Sequence, residues 1–285
     1  LILLPGTIAM GGTLPVLITY FSKTREAGST TGRLYALNTL GAVTGTLLTG
    51  FVFIELLGLS STIIITGSVH IIIGTILFLL CGSNIQIKET ERTQKESAPV
   101  LIPYLQWKQT LALVVFGVSG FTAMAYEVAW TRLLTPTVGT YIYAFSLILA
   151  VVLTGMTLGS ALAGKLFSKT KIPLAVLGLT QIGMWMGAIF SLFSNSQFLN
   201  LGTIPTVLCT ILPSAICMGM TFPIVAKIPH TDITRGRFIG TAYAANTVGS
   251  LVGPLVAGFI LLKSFGTIHT IIILALINGL AGIAL

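Results

Sequence analysis

Glu127 is a carboxylate late in an apolar stretch, with Tyr126 beside it, Trp130 three residues on and Arg132 five residues on. A charged group inside a membrane span is costly unless it is paired, protonated or turned toward a watery cavity, so an acid there points to function. Two readings stand. In one, Glu127 faces a central cavity and binds a cationic amine or carries a proton, and Tyr126 and Trp130 add cation–π contacts. In the other, Glu127 and Arg132 pair near the membrane surface while the two aromatics pack or sit in the interfacial belt. Asn38 and Asn246 are the next candidates, either as symmetric substrate contacts or as interhelical hydrogen bonds worth about 0.6–2 kcal/mol each. The expected substrate-binding set is therefore Glu127, Tyr126, Trp130, Arg132, Asn38 and Asn246. Cys81, Cys209 and Cys217 lie in or beside apolar stretches without metal-ligand spacing, so neither a metal nor a cofactor is expected.

The elements that would hold these residues are membrane helices. The chain is 54% hydrophobic and 8% charged, with a mean hydropathy of +0.98, whereas soluble domains carry about 25% charged residues. A helical span needs about 20 predominantly apolar residues. Nine segments qualify: roughly 1–21, 35–57, 61–82, 110–131, 138–164, 173–193, 199–226, 238–262 and 267–285. The net charge of +8 does not point to nucleic acid, because the basic residues are divided among short loops rather than gathered on one face.

Those charges set an orientation. Thirteen of the 15 basic residues fall in the odd-numbered connections, as Lys23, Arg25 and Arg33, then Lys88, Arg92, Lys95 and Lys108, then Lys165, Lys169 and Lys171, then Lys227, Arg235 and Arg237. Arg132 and Lys263 mark the opposite ends. Basic loops stay in the cytoplasm, so the lipid bilayer is the first expected partner and a bacterial inner membrane the expected location.

The chain also repeats itself. Residues 1–77 align with residues 209–285 at a constant offset of 208, and 25 of the 77 pairs are identical. Pro5, Met10, Gly11, Thr13 and Pro15 recur as Pro213, Met218, Gly219, Thr221 and Pro223, and Tyr35, Asn38 and Thr39 recur as Tyr243, Asn246 and Thr247. A repeat of this length is a duplicated set of helices. Six spans separate the starts of the copies, an even number, so both point the same way across the membrane. The expected division is 1–83 as the last three helices of one unit, 84–109 as a cytoplasmic connection and 110–285 as a second six-helix unit, its last helix cut short. On that count three helices belong before residue 1, and the chain reads as a piece of a longer protein. The small residues Gly41, Gly45 and Gly50, and Gly249, Gly253, Pro254 and Gly258, are expected to let helices approach closely. Pro5, Pro15, Pro213 and Pro223 are expected to kink their helices. Glu55 and Lys263, equivalent and opposite in charge, are expected to pair or snorkel at the far surface.

Two resemblances follow from these residues. Arg235-Gly236-Arg237, then Gly249-Ser250-Leu251-Val252-Gly253-Pro254 through Gly258, resembles the loop and glycine–proline helix of the major facilitator superfamily. Gly164-Lys165-Leu166-Phe167-Ser168-Lys169 resembles another loop of that family, with Ser168 where the family has Asp. The fold implied is an all-α membrane protein, a major facilitator-like bundle with a parallel repeat. The second resemblance covers nearly the whole chain. Ala125-Tyr126-Glu127-Val128-Ala129-Trp130-Thr131-Arg132-Leu133, Tyr143-Ala144-Phe145-Ser146, Gly155-Met156-Thr157-Leu158-Gly159-Ser160, Leu212-Pro213-Ser214-Ala215 and Tyr243-Ala244-Ala245-Asn246-Thr247 together resemble the membrane region of multi-pass spermidine-synthase-like proteins. There a facilitator-like domain precedes a cytoplasmic aminopropyltransferase domain, which the resemblance implies as a partner, with a small amine as ligand. The chain itself has one aspartate, Asp232, and no glycine-rich cofactor turn, so no aminopropyl transfer is expected from it. Three functions compete: a membrane domain supporting or handling a polyamine-type substrate, a facilitator-type secondary transporter of a small solute, and a helical scaffold.

Overall fold

A computed structural model describes residues 11–13, 17, 27–82, 103–139, 142–167, 170–194, 202–228 and 232–285. Among these the elements are all helical: α1 Ala27–Leu48, a π-helical turn Thr49–Phe53, α2 Ile54–Gly82, α3 Pro103–Val138, α4 Ile142–Leu166, α5 Pro173–Ser194, α6 Thr203–Val225, α7 Asp232–Val256, a second π-helical turn Ala257–Leu261 and α8 Leu262–Ile283.

Six stretches are long and apolar enough to cross a membrane. Two of them, Arg33–Leu79 and Phe238–Ile283, run to 47 and 46 residues. At about 1.5 Å per residue either would reach roughly 70 Å, more than twice the roughly 30 Å of a hydrocarbon core. Each is broken where L side chains are disfavoured, at Gly58 (φ 75°) and Gly266 (φ 72°). Dividing the two long stretches at these glycines gives eight segments among the described residues. The segment 1–21 lies almost wholly outside the described residues, as do Pro5 and Pro15.

The duplication recurs in the backbone. The two π-helical turns, and the positive-φ glycines Gly58 and Gly266, sit at the 208-residue offset. Thr39 Oγ1 donates to the Tyr35 carbonyl and Thr247 Oγ1 to that of Tyr243, each at 2.8 Å. Thr62 and Thr270 bond back to Gly58 and Gly266, each at 2.7 Å.

Close approaches give the directions. Gly117 and Gly120 of α3 meet Ala245 and Asn246 of α7, and Phe121 meets Gly253, so α3 and α7 run parallel. Gly183 and Gly187 of α5 meet Cys217 and Ser214 of α6, which makes that pair antiparallel. Gly178 packs on Gly282 while Gly279 packs on Trp185, so α5 and α8 are antiparallel. Gly50, just past α1, meets Ser146 near the start of α4, while Tyr35 near the start of α1 packs its ring, tilted, against Phe222 near the end of α6. Hence α1 and α7, one from each copy, point the same way. Arg33, Lys108, Lys165, Lys171 and Lys227 gather at one end of the bundle, with Arg132 and Lys263 at the other. At the basic end Lys227 Nζ donates to the Phe167 carbonyl at 2.6 Å, and burial pushes its ammonium pKa down.

The glycine seams differ between copies. A Cβ on Gly249 or Gly253 would collide with the backbone of Gly117 or Phe121, so these glycines do hold α7 against α3. Gly41, Gly45 and Gly258 have no atom within 4 Å of a Cβ position. No described element lies against Gly41 and Gly45 on α1, whereas α3 fills that side of α7. Pro254, Pro213 and Pro223 are carried inside their helices. Glu55 and Lys263 are both exposed and do not pair with each other. The helix α3 begins at Pro103, earlier than the span expected from 110, because its first turns carry an interfacial tryptophan, Trp107, and Lys108.

Candidate functional site

Five helices enclose a cavity of about 360 Å³. From α1 come Tyr35, Asn38, Thr39 and Ala42; from α7, Tyr243, Asn246, Thr247 and Ser250. These are the repeat-related faces, four residues from each copy at matching positions. The helix α3 adds Phe116, Ser119, Gly120, Ala123 and Met124, a stripe at helical spacing. Leu153 and Met156 from α4, and Met218, Thr221 and Phe222 from α6, complete the wall. Among the described lining residues there are two phenols, two amides, several hydroxyls and three thioethers, and no carboxylate or ammonium group. Such a surface offers hydrogen bonds and polarizable contacts without a fixed charge.

The two asparagines share the cavity but not the role. Asn246 Nδ2 donates to the Phe116 carbonyl at 3.0 Å, and its side chain lies where a Cβ on Gly120 would intrude, so it ties α7 to α3. Asn38 is exposed toward the cavity and makes no hydrogen bond with the described residues, so its amide is free for a ligand.

Glu127 belongs to a second space. A groove of about 510 Å³ is lined by Met124, Glu127, Val128, Thr131, Arg132, Thr135, Phe145, Pro254 and Leu262. Glu127 and Arg132 both face it, and no ion pair joins them. The same face of α3 carries Gly120, Ala123 and Met124 in the cavity and Glu127, Val128 and Thr131 in the groove. Met124 lines both, so the two spaces adjoin. With α3 running away from the basic end, Glu127 lies beyond the cavity on the side of Arg132 and Lys263.

Tyr126 and Trp130 lie elsewhere. Both are 0% exposed, stacked on each other at 5.1 Å between ring centroids. Asn278 Nδ2 donates to the Tyr126 hydroxyl at 3.2 Å, and Thr122 Oγ1 donates to Asn278 Oδ1 at 2.8 Å. Trp130 Nε1 donates to Ser191 Oγ at 3.2 Å. On a helix, neighbours in sequence point about 100° apart, so Tyr126 faces α8 while Glu127 faces the groove. No cation–π contact to a groove ligand is available from either ring. The six expected residues thus divide in three: Asn38 and Asn246 in the cavity, Glu127 and Arg132 in the groove, Tyr126 and Trp130 in the buried apolar core.

Sequence reasoning passed over Tyr35, Tyr243, Phe116 and Phe222. The signal for the tyrosines was available, since they are an identical repeat pair one turn before the asparagines. Phe116 and Phe222 have no such mark and become cavity residues only through packing. The interhelical role of Gly155 and Gly159, which admit Ala215 and Ile216 of α6, was legible as a small-xxx-small pair. Among the described residues no group of three or more His, Cys, Asp or Glu side chains could hold a metal ion. Neither a known protein family nor a curated protein matches the chain.

Proposed function

We propose that this chain is the membrane part of a facilitator-like protein of the spermidine-synthase-like kind, and that it takes an amine-type solute into the cavity between the two copies. The observation that carries the reading is the convergence of Tyr35 and Asn38 with Tyr243 and Asn246 on one cavity, next to a groove holding a carboxylate that makes no ion pair among the described residues. Duplicated helix sets around a central site are the architecture of many transporters. A cation entering from the far side would meet Glu127 first, then the amides and aromatic faces of a cavity without fixed charge. In this reading the basic loops are cytoplasmic, and an aminopropyltransferase domain would lie on that side.

The test is binding and uptake of radiolabelled putrescine and spermidine by the protein in proteoliposomes. Glu127→Gln should lower apparent affinity at least tenfold and Asn38→Ala severalfold, while Glu55→Gln should have no effect. Saturable binding that is unchanged in Glu127→Gln would remove the carboxylate from the site. An absence of binding above protein-free vesicles would leave the scaffold reading.

A second reading, a facilitator-type transporter of an uncharged solute, is favoured by one feature: the described cavity lining is free of ionised side chains. Competition by neutral polar solutes, with amines inert, would select it.

A further inference from the structure

The side chains around the cavity are sorted by depth. Residues of α1, α3 and α7 rise from the basic end with increasing number, and those of α6 descend toward it. Tyr35, Phe116 and Tyr243 are accordingly the lining residues nearest the basic end on their helices, and Phe222 is the nearest on α6. All four are aromatic, while on α4, which also descends, the nearest lining residue is Met156. They also touch: the Phe222 ring lies 5.3 Å from Tyr35, 5.8 Å from Phe116, in a stacked arrangement, and 6.0 Å from Tyr243, edge on. Phe222 and Phe116 are each 3% exposed. Beneath them, toward the basic loops, one buried apolar cluster continues through Val225, Ala226, Ile239 and Ala242, with Leu34 of α1 packed against it. At the cavity's other end Met124 is shared with the groove of Glu127, and no comparable aromatic layer crosses there among the described residues.

We infer that Phe222, held among Tyr35, Phe116 and Tyr243, closes the basic end of the cavity as a gate whose two halves come from the two copies of the repeat. Tyr35 belongs to the first copy and Phe116, Phe222 and Tyr243 to the second. The ring layer is therefore the place where separating α1 from α6 and α7 would open a path, and among the described residues no covalent link or charged pair crosses it. Packing of aromatic rings suits that task. It excludes water over a large area, and it can be parted without leaving an unpaired hydrogen bond in a low-dielectric interior. The threonine bonds at Thr39 and Thr247 lie within their own helices, so each would travel with its helix and break nothing. The inference rests on the reading of this cavity as a solute site, but its test needs no solute.

The reporter is Ser250→Cys, a cavity position on α7 above the ring layer, in protein whose Cys81, Cys209 and Cys217 are replaced by alanine. Sealed vesicles of known orientation are exposed to a membrane-impermeant maleimide from one side at a time. Labelling of the parent should be fast from the Glu127 side and at least tenfold slower from the basic side. In Phe222→Ala the basic-side rate should rise at least tenfold, with the far-side rate unchanged. Tyr35→Ala, on the half-exposed α1, is the second variant and should raise the basic-side rate in the same direction. Each variant is first shown to elute as a single monodisperse species. Equal labelling of the parent from both sides would overturn the gate, as would basic-side rates that neither variant changes. If the labelling follows expectation while no amine binds, the solute reading falls and the gate stands. If amines bind and the labelling does not follow, the reverse holds.

Discussion

At the level of single residues, the contrast between Tyr126 and Glu127 is the informative one. They are adjacent in sequence and both polar, yet one helical step places the phenol in a closed network and the carboxylate in an open groove. The network of Thr122, Asn278 and Tyr126 joins α8 to α3 through two hydrogen bonds at 2.8 and 3.2 Å. Interhelical bonds of this kind contribute about 0.6–1.7 kcal/mol each in membrane bundles. Asn278→Leu removes both and leaves the buried Tyr126 hydroxyl without its donor, so a loss of about 1–3 kcal/mol is expected. Thermal unfolding in detergent measures it. Tyr126→Phe, which removes a single bond, should cost less than half as much. Equal effects would mean that the two bonds do not contribute separately and that losing one loses both.

At the level of helices, the same glycine pattern has different consequences in its two settings. Gly249 and Gly253 lie against the backbone of α3, whereas Gly258 faces open space. Gly253→Val should therefore push α7 off α3, costing about 2 kcal/mol or more by overpacking a tight seam. Gly258→Ala adds its methyl group where nothing stands, and a shift within about 0.5 kcal/mol is expected. Chemical denaturation of the two variants side by side is the measurement. If Gly258→Ala were the more damaging, packing against α3 would not be what holds α7. The sequence pattern alone could not rank these glycines, because only the neighbouring helix distinguishes them.

Over the whole molecule, the segregation of charge becomes a statement about sides. The described basic residues Arg33, Lys108, Lys165, Lys171 and Lys227 lie at one end, and Arg132 and Lys263 at the other. Single cysteines replacing Lys165 and Lys263 should react with an impermeant maleimide from opposite faces of sealed vesicles. Labelling of both from one face would break the up-and-down order of α4 and α8. Such order is what lets two copies of a helix set meet around a shared space, with Tyr35 and Asn38 opposite Tyr243 and Asn246.

Much of this was legible beforehand. The hydrophobic runs marked where helices lie, since only an apolar face of sufficient length is stable in lipid. The 208-residue offset foretold matched turns at Gly58 and Gly266, because a glycine that alone tolerates a left-handed backbone leaves its mark in sequence. The partition of the six candidate residues was not legible. Whether Tyr126, Glu127 or Trp130 meets solute depends on which helix lies against each face of α3, and that is decided by α5, α7 and α8 from far along the chain. The aromatic layer is the same kind of fact. Local sequence determines the period and length of each helix through backbone hydrogen bonding and hydropathy, whereas the lining of a cavity is a property of several helices at once and exists only after they pack.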